Sequence, residues 1–156
     1  SGDFAGYFIA AALGPGLGNV MIAVSIGAIP SFARIVRAGV LTVKEQEFVE
    51  AARACGASDL RIILKHILPN CMATIIVQAT LGVASAILST SGLSFIGLGI
   101  SPPTPEWGAM LSAGRQYIRD YSYIVLFPGL AIAITIFALN LFGDGLRDAL
   151  DPRLKT

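Results

Sequence analysis

Three stretches of this chain contain no Asp, Glu, Lys or Arg: Phe4 to Ala33, His66 to Pro105 and Tyr121 to Gly143. Each reaches the roughly 20 apolar residues that an α-helix needs to cross a bilayer core. A soluble domain carries about 25% charged residues, whereas this chain of 156 residues carries 13%. A soluble protein with buried helices accounts poorly for three such windows in so short a chain. The windows predict an all-α, polytopic transmembrane helical bundle.

Gly and Pro divide the first window. Phe4 to Leu13 is apolar but too short to span, and reads as the second half of a membrane helix. Gly14-Pro15-Gly16-Leu17-Gly18-Asn19 follows, dense in helix breakers. A P-loop needs a Lys-Ser/Thr pair after its glycines, which is absent, so a tight turn at the membrane surface is expected. Val20 to about Val40 is the next predicted span, with a tolerable kink at Pro30. Arg34 and Arg37 sit one helical turn apart and are expected to anchor its edge by reaching toward the headgroups.

The polar interruption runs from Glu45 to Pro69 and holds seven of the chain's charged residues. Thr42-Val43-Lys44-Glu45 has the spacing of a capping box, which predicts a new helix from about Val43. Phe48, Ala51, Ala52 and Cys55 then fall on one narrow face of mostly small residues. Gly56 suits a left-handed cap. Ser58 suits the N-cap of a second helix, with Asp59 in its first turn. Leu60, Ile63, Leu64, Ile67 and Leu68 are expected as the apolar face of that helix, and Pro69 as its break. Residues 42–69 thus form a helix–glycine–helix elbow against the membrane.

A span from about Asn70 to Ser89 is rich in small residues, which let membrane helices approach closely. Ser89 to Gly92 is expected to end it, Leu93 to Ile100 to form a short interfacial helix, and Pro102-Pro103-Thr104-Pro105 to start a rigid surface loop containing Glu106 and Trp107. The last span is predicted over Tyr121 to Gly143, bent near Pro128, with Asn140 in a buried interhelical hydrogen bond or touching solute. A short polar helix is expected from Gly143 to Pro152. Nine basic residues lie on the side of the elbow and the tail (Arg153 and Lys155 included), against Arg115 and Arg119 on the other. The positive-inside rule then places elbow and C-terminus in the cytoplasm.

Catalytic and metal chemistry find no footing in the sequence. Cys55 and Cys71 form no CxxC pair, His66 is the one histidine, and Glu106 and Asp120 make no recognisable acid/base pair. No cofactor or metal is expected, and a net charge of +1 carries no argument for nucleic acid, which is not expected as a partner. The spans lack the buried charges common in proton-driven carriers, so uphill transport would draw energy from another subunit. The start, without Met or a charged leader, reads as the interior of a longer protein.

Glu50-Ala51-Ala52, then Gly56, then Leu68-Pro69 stand in the register of the EAA loop of bacterial ABC importer permeases: EAA, three residues, G, nine residues, I-x-L-P. His66 replaces the usual Ile, and the His-Ile-Leu-Pro-Asn ending is similar to the peptide-importer branch. Leu93 to Gly99, Pro102 to Met110 and Asn140 to Pro152 extend the likeness, so nearly the whole chain resembles a dipeptide/oligopeptide (C-type) permease subunit. The resemblance implies a non-enzymatic permease in the bacterial inner membrane. Its partners would be two cytoplasmic ATP-binding subunits, a homologous second permease and an extracytoplasmic solute-binding protein. It also implies that Glu50, Ala51, Ala52, Gly56, Leu68 and Pro69 form the ATPase-coupling interface. A nickel or other small-solute importer, a self-contained secondary transporter or channel, and a purely structural membrane scaffold remain open alternatives.

Overall fold

Most of the charge-free sequence is helical in the computed structural model, which describes residues 2–150. Helix α1 is Gly2–Leu13 and α2 is Leu17–Lys44. Between them the chain turns at Gly14 and Gly16, and Asn19 secures the turn by donating from its amide to the carbonyls of Leu13 and Gly14 at 3.1 and 3.3 Å. Helix α2 passes through Pro30 and continues beyond Val40 to Lys44. The expected capping box at Thr42 and Glu45 does not form. Thr42 lies inside α2 and donates its hydroxyl to the Ala38 carbonyl at 3.1 Å, the common recourse of a threonine in mid-helix. The next helix, α3, is Glu47–Ala54, with Gln46 at its N-cap.

The second arm of the elbow is not a separate helix. Helix α4 (Asp59–Ile62), a π-helical turn (Ile63–Ile67) and α5 (Leu68–Phe95) run on as one 37-residue rod. Pro69 therefore neither breaks nor restarts the chain. Proline lacks an N–H and crowds the preceding turn, and here that preceding turn is the widened π turn, closed by the Leu68 N–H donating to the Ile63 carbonyl. The π turn also overturns the expected apolar face. Ile62 and Ile67 are buried, whereas Leu60, Ile63, Leu64 and Leu68 are exposed. Five residues apart, Ile62 and Ile67 share a face across an i→i+5 turn but not across 3.6-residue periodicity.

At the other end the rod passes Ser89 to Gly92 without stopping, because Ser, Thr and Gly carry no charge that must leave a membrane helix. It ends at Phe95, so Leu93 to Ile100 is a helix end and a turn rather than an interfacial helix. The Leu98 N–H donates to the Leu93 carbonyl and the Gly97 N–H to the Ser94 carbonyl, at 2.9 and 3.2 Å, with Gly97 at φ 85°. This is a Schellman cap, and its left-handed residue favours glycine. After the Pro102–Pro103 turn, Glu106 is not a loop residue. Its carboxylate accepts from the Ala109 N–H at 2.7 Å and caps α6 (Trp107–Gly114), which a 3₁₀ turn (Arg115–Tyr117) follows. Helix α7 is Tyr123–Leu150, so the expected polar helix after Gly143 is its last two turns. The stretch from Asp151 to Pro152, with Arg153 and Lys155, lies outside the described residues.

Packing concentrates at the two ends. Ala10, Val20, Ala23, Leu93 and Ile100 form one core, beside which the Gly16 N–H donates to the Gly99 carbonyl at 3.1 Å. Helix α6 presses on this end of α5, where a side chain at Gly108 would collide with the Ser91 backbone. Val49, Ile62, Ile67 and Cys71 form the second core, at the elbow. Between them the spans bury little: 11%, 17% and 11% of their apolar windows. Phe8, Ile134, Phe137 and Phe142 point outward, as lipid-facing side chains do. Thr80 and Thr135 return their hydroxyls to the carbonyls of Ile76 and Ala131. Asn140 is exposed on α7 and makes no interhelical hydrogen bond among the described residues, contrary to expectation, because no described helix covers its face.

Candidate functional site

The elbow is built from backbone geometry first. Helix α3 ends in a second Schellman cap: the Ala57 N–H donates to the Ala52 carbonyl at 3.1 Å, and the Gly56 N–H to the Arg53 carbonyl at 3.0 Å. Gly56 sits at φ 81°, where an L side chain is strained by about 1–2 kcal/mol. Ser58 turns the chain into the rod, and its hydroxyl accepts from the Arg61 N–H at 3.4 Å, with Asp59 in the favourable first turn. Gly56 and Ser58 thus play the backbone roles their positions predict.

One side of this turn is closed and the other open. Val49, at 2% exposure, is locked against Ile62, Ile67 and Cys71, with Val40 and Val43 of α2 packed on them. The opposite side is a groove of about 430 Å³. From α3 it is lined by Phe48, Ala51, Ala52 and Cys55, at the turn by Gly56 and Ala57, and from the rod by Arg61 and His66. The small-residue face expected from the sequence is therefore an open surface, broad enough to seat apolar side chains from outside.

The predicted site residues divide. Ala51, Ala52 and Gly56 come together in the groove. Glu50 is exposed on α3 but does not line it, and the one ion pair among the described residues, Arg147 with Asp144 at 3.9 Å, lies elsewhere. Leu68 and Pro69 are exposed on the rod beyond the π turn and do not line it either. Arg61 and His66 were missed as groove residues. Like Ile62 and Ile67 they stand five apart, a spacing that shares a face only across a π turn, and Pro69 just beyond was the available signal. Mixed apolar and basic lining, with a single imidazole, suits docking of a protein surface.

Three apolar membrane-length helices, no strand among the described residues and an open elbow between two of them define a multi-pass helical membrane protein. Residues 4–156 match the family described as binding-protein-dependent transport system inner membrane component, and the chain belongs to that family. It is 52% identical over 147 residues to the di/tripeptide transport system permease protein DppC of Pseudomonas aeruginosa (strain UCBPP-PA14), covering 94% of this chain and 48% of that protein. Identity and coverage are the same for the glutathione transport system permease protein GsiD of Escherichia coli O1:K1 / APEC and of Shigella flexneri serotype 5b (strain 8401). The chain spans about half the length of the curated relatives it matches.

Proposed function

We propose that this chain is part of the permease subunit of an ATP-driven, binding-protein-dependent importer of short peptides, and that the elbow is its docking surface for an ATP-binding subunit. The observation that carries the reading is the open groove at Gly56, mounted on a rod that continues through the predicted membrane span. A partner seated there moves the span directly. ATP is hydrolysed by the partners: two ATP-binding subunits below the elbow, with a homologous second permease beside this one and a solute-binding protein at the α6 end. Elbow and C-terminus face the cytoplasm, in keeping with the basic residues on that side. Relatives named for di/tripeptides and for glutathione favour short peptides with a free carboxylate over nickel as the solute.

Within the interface, Ala51, Ala52 and Gly56 permit close approach of the partner, and Glu50 pairs with a basic group at the rim. Leu68 and Pro69 act indirectly, by holding the π turn that sets the angle between elbow and span. Motion of the ATP-binding subunits rocks the spans between inward- and outward-open states.

Gly56→Asp tests the docking role. A Cβ at Gly56 meets nothing within 4 Å, and Asp tolerates left-handed backbone better than most residues, so the fold survives. The carboxylate then projects at the groove. The full-length variant is expected to insert normally but to lose ATP-driven peptide uptake and solute-stimulated ATP hydrolysis in proteoliposomes. Uptake at the wild-type rate would remove the elbow from the coupling path.

A further inference from the structure

A second cavity, of about 330 Å³, lies among α1, α2 and α5, away from the elbow groove. Ser31 and Arg34 of α2 and Gln78, Ser85 and Ser89 of α5 line it. On α5 these positions follow at i, i+7 and i+11, which is one helical face over three turns. The outer ends of α2 and α5 are tied through the Gly16–Gly99 hydrogen bond. Arg34 is 17 residues from Leu17, and Gln78 is 17 from Phe95, so at 1.5 Å per residue both stand about 25 Å below that tie. Counted along their helices they stand at a similar depth, at the elbow's end of the cavity, with the serines nearer the tie.

Charge decides what occupies such a space. The small lining residues would also suit a close-packed helix. A packed apolar helix, however, would seal a guanidinium and a carboxamide into a low dielectric, and leaving such groups without partners costs several kcal/mol each, far more for the charge. Water and an anionic solute satisfy both. Arg37, one turn further along α2, does not line the cavity and keeps the role of membrane-edge anchor.

We propose that this cavity is a stretch of the solute path, and that Arg34, with Gln78 beside it, attracts the solute's carboxylate near the inner end. The proposal rests on the peptide-importer reading and names the part of the molecule that meets the solute.

The experiment uses the full-length protein assembled with its partner subunits in proteoliposomes, with Cys55 and Cys71 replaced by Ala. Single cysteines are introduced at Gln78, Ser85 and Ser89, and as controls at Ile76 and Leu88, which are exposed but outside the cavity. Labelling by water-borne methanethiosulfonates is expected to be at least 10-fold faster at the three cavity positions, and to slow when trialanine is being transported. At Gln78→Cys, the anionic reagent should outpace the cationic one. That preference should fall about 10-fold with Arg34→Gln, persist with Arg34→Lys and persist with Arg37→Gln. Cavity cysteines that react no faster than the controls would show the space filled by protein and overturn the proposal. A reagent preference unmoved by Arg34→Gln would overturn the role of Arg34. Failure of the wild-type assembly to take up trialanine with ATP would instead count against the importer reading, with the labelling pattern read separately.

Discussion

The rod from Asp59 to Phe95 is bounded at both ends by glycine-terminated turns of the same design. Ala57 reaches back to Ala52 around Gly56 before the rod begins, and Leu98 reaches back to Leu93 around Gly97 where it stops. Their surroundings differ. Around the outer turn Leu93 and Ser94 are 2% and 4% exposed, Ile100 donates its N–H to the Ser94 hydroxyl at 3.1 Å, and α6 closes the assembly, with Arg115 over the Phe95 ring at 5.6 Å. Around the turn at Gly56, Ala51, Cys55 and Gly56 are exposed and the groove beside them is open. One backbone motif therefore serves two ends: at Gly97 it completes a core, and at Gly56 it leaves an open surface, the one proposed above to receive a partner.

That contrast breaks first at Gly108. Leucine there drives into the Ser91 backbone, which cannot yield as a side-chain tip would. A loss of about 3 kcal/mol is expected, read as a large drop in the thermal midpoint of the detergent-solubilised protein. Midpoints equal to wild type would mean that α6 is not seated as described.

A paired substitution sharpens the comparison. Gly97→Ala and Gly56→Ala impose the same left-handed strain, about 1–2 kcal/mol each. Gly97→Ala should lower thermal stability while leaving uptake per folded molecule intact. Gly56→Ala should lower uptake as well, because its methyl stands at the groove. Equal effects on both readouts would erase the functional difference between the ends.

The smallest effects compare two serines. Ser94→Ala leaves the buried Ile100 N–H without its acceptor and should cost about 1.5 kcal/mol. Ser58→Ala removes a longer and exposed cap, at 3.4 Å, and should cost about 0.5 kcal/mol. Thermal midpoints of the two variants decide the order, and a reversed order would mean that the inner turn is the more tightly built.

Sequence patterns announced some of this and concealed the rest. Absence of charge over about 20 residues is a direct statement about solvent, so each charge-free window holds the larger part of one membrane-length helix, though the first also takes in α1 and its turn and the second runs on past Phe95 into a loop. Gly56 and Ser58 were legible because left-handed backbone and an N-cap each select a short list of residue types. Thr42 misled because the Thr-x-x-Glu spacing also fits inside a helix, where the hydroxyl simply bonds back along it. Pro69 misled because a widened turn accommodates it, and the same turn moved Ile62 and Ile67 inward while turning Ile63 and Leu64 out. Ser89 to Gly92 looked like a boundary, yet uncharged small residues are at home in a membrane helix. The groove was half visible: Ala51 and Ala52 lie on one helical face, whereas Arg61 and His66 come from across a widened turn of which Pro69 was the one sign.

The length of the rod has a consequence for the lipid. At 1.5 Å per residue it measures about 55 Å and α2 about 42 Å, against a hydrocarbon core of about 30 Å. Their far ends are tied together at Gly16 and Gly99, so with that tie at the bilayer surface the surplus emerges on the elbow's side. Headgroups occupy only about 6 Å of it. On that placement the elbow stands clear of the headgroups, raised on its own helices. On the docking role proposed above, the joint would dehydrate protein rather than lipid, and its strength would be a property of the two proteins, insulated from headgroup composition.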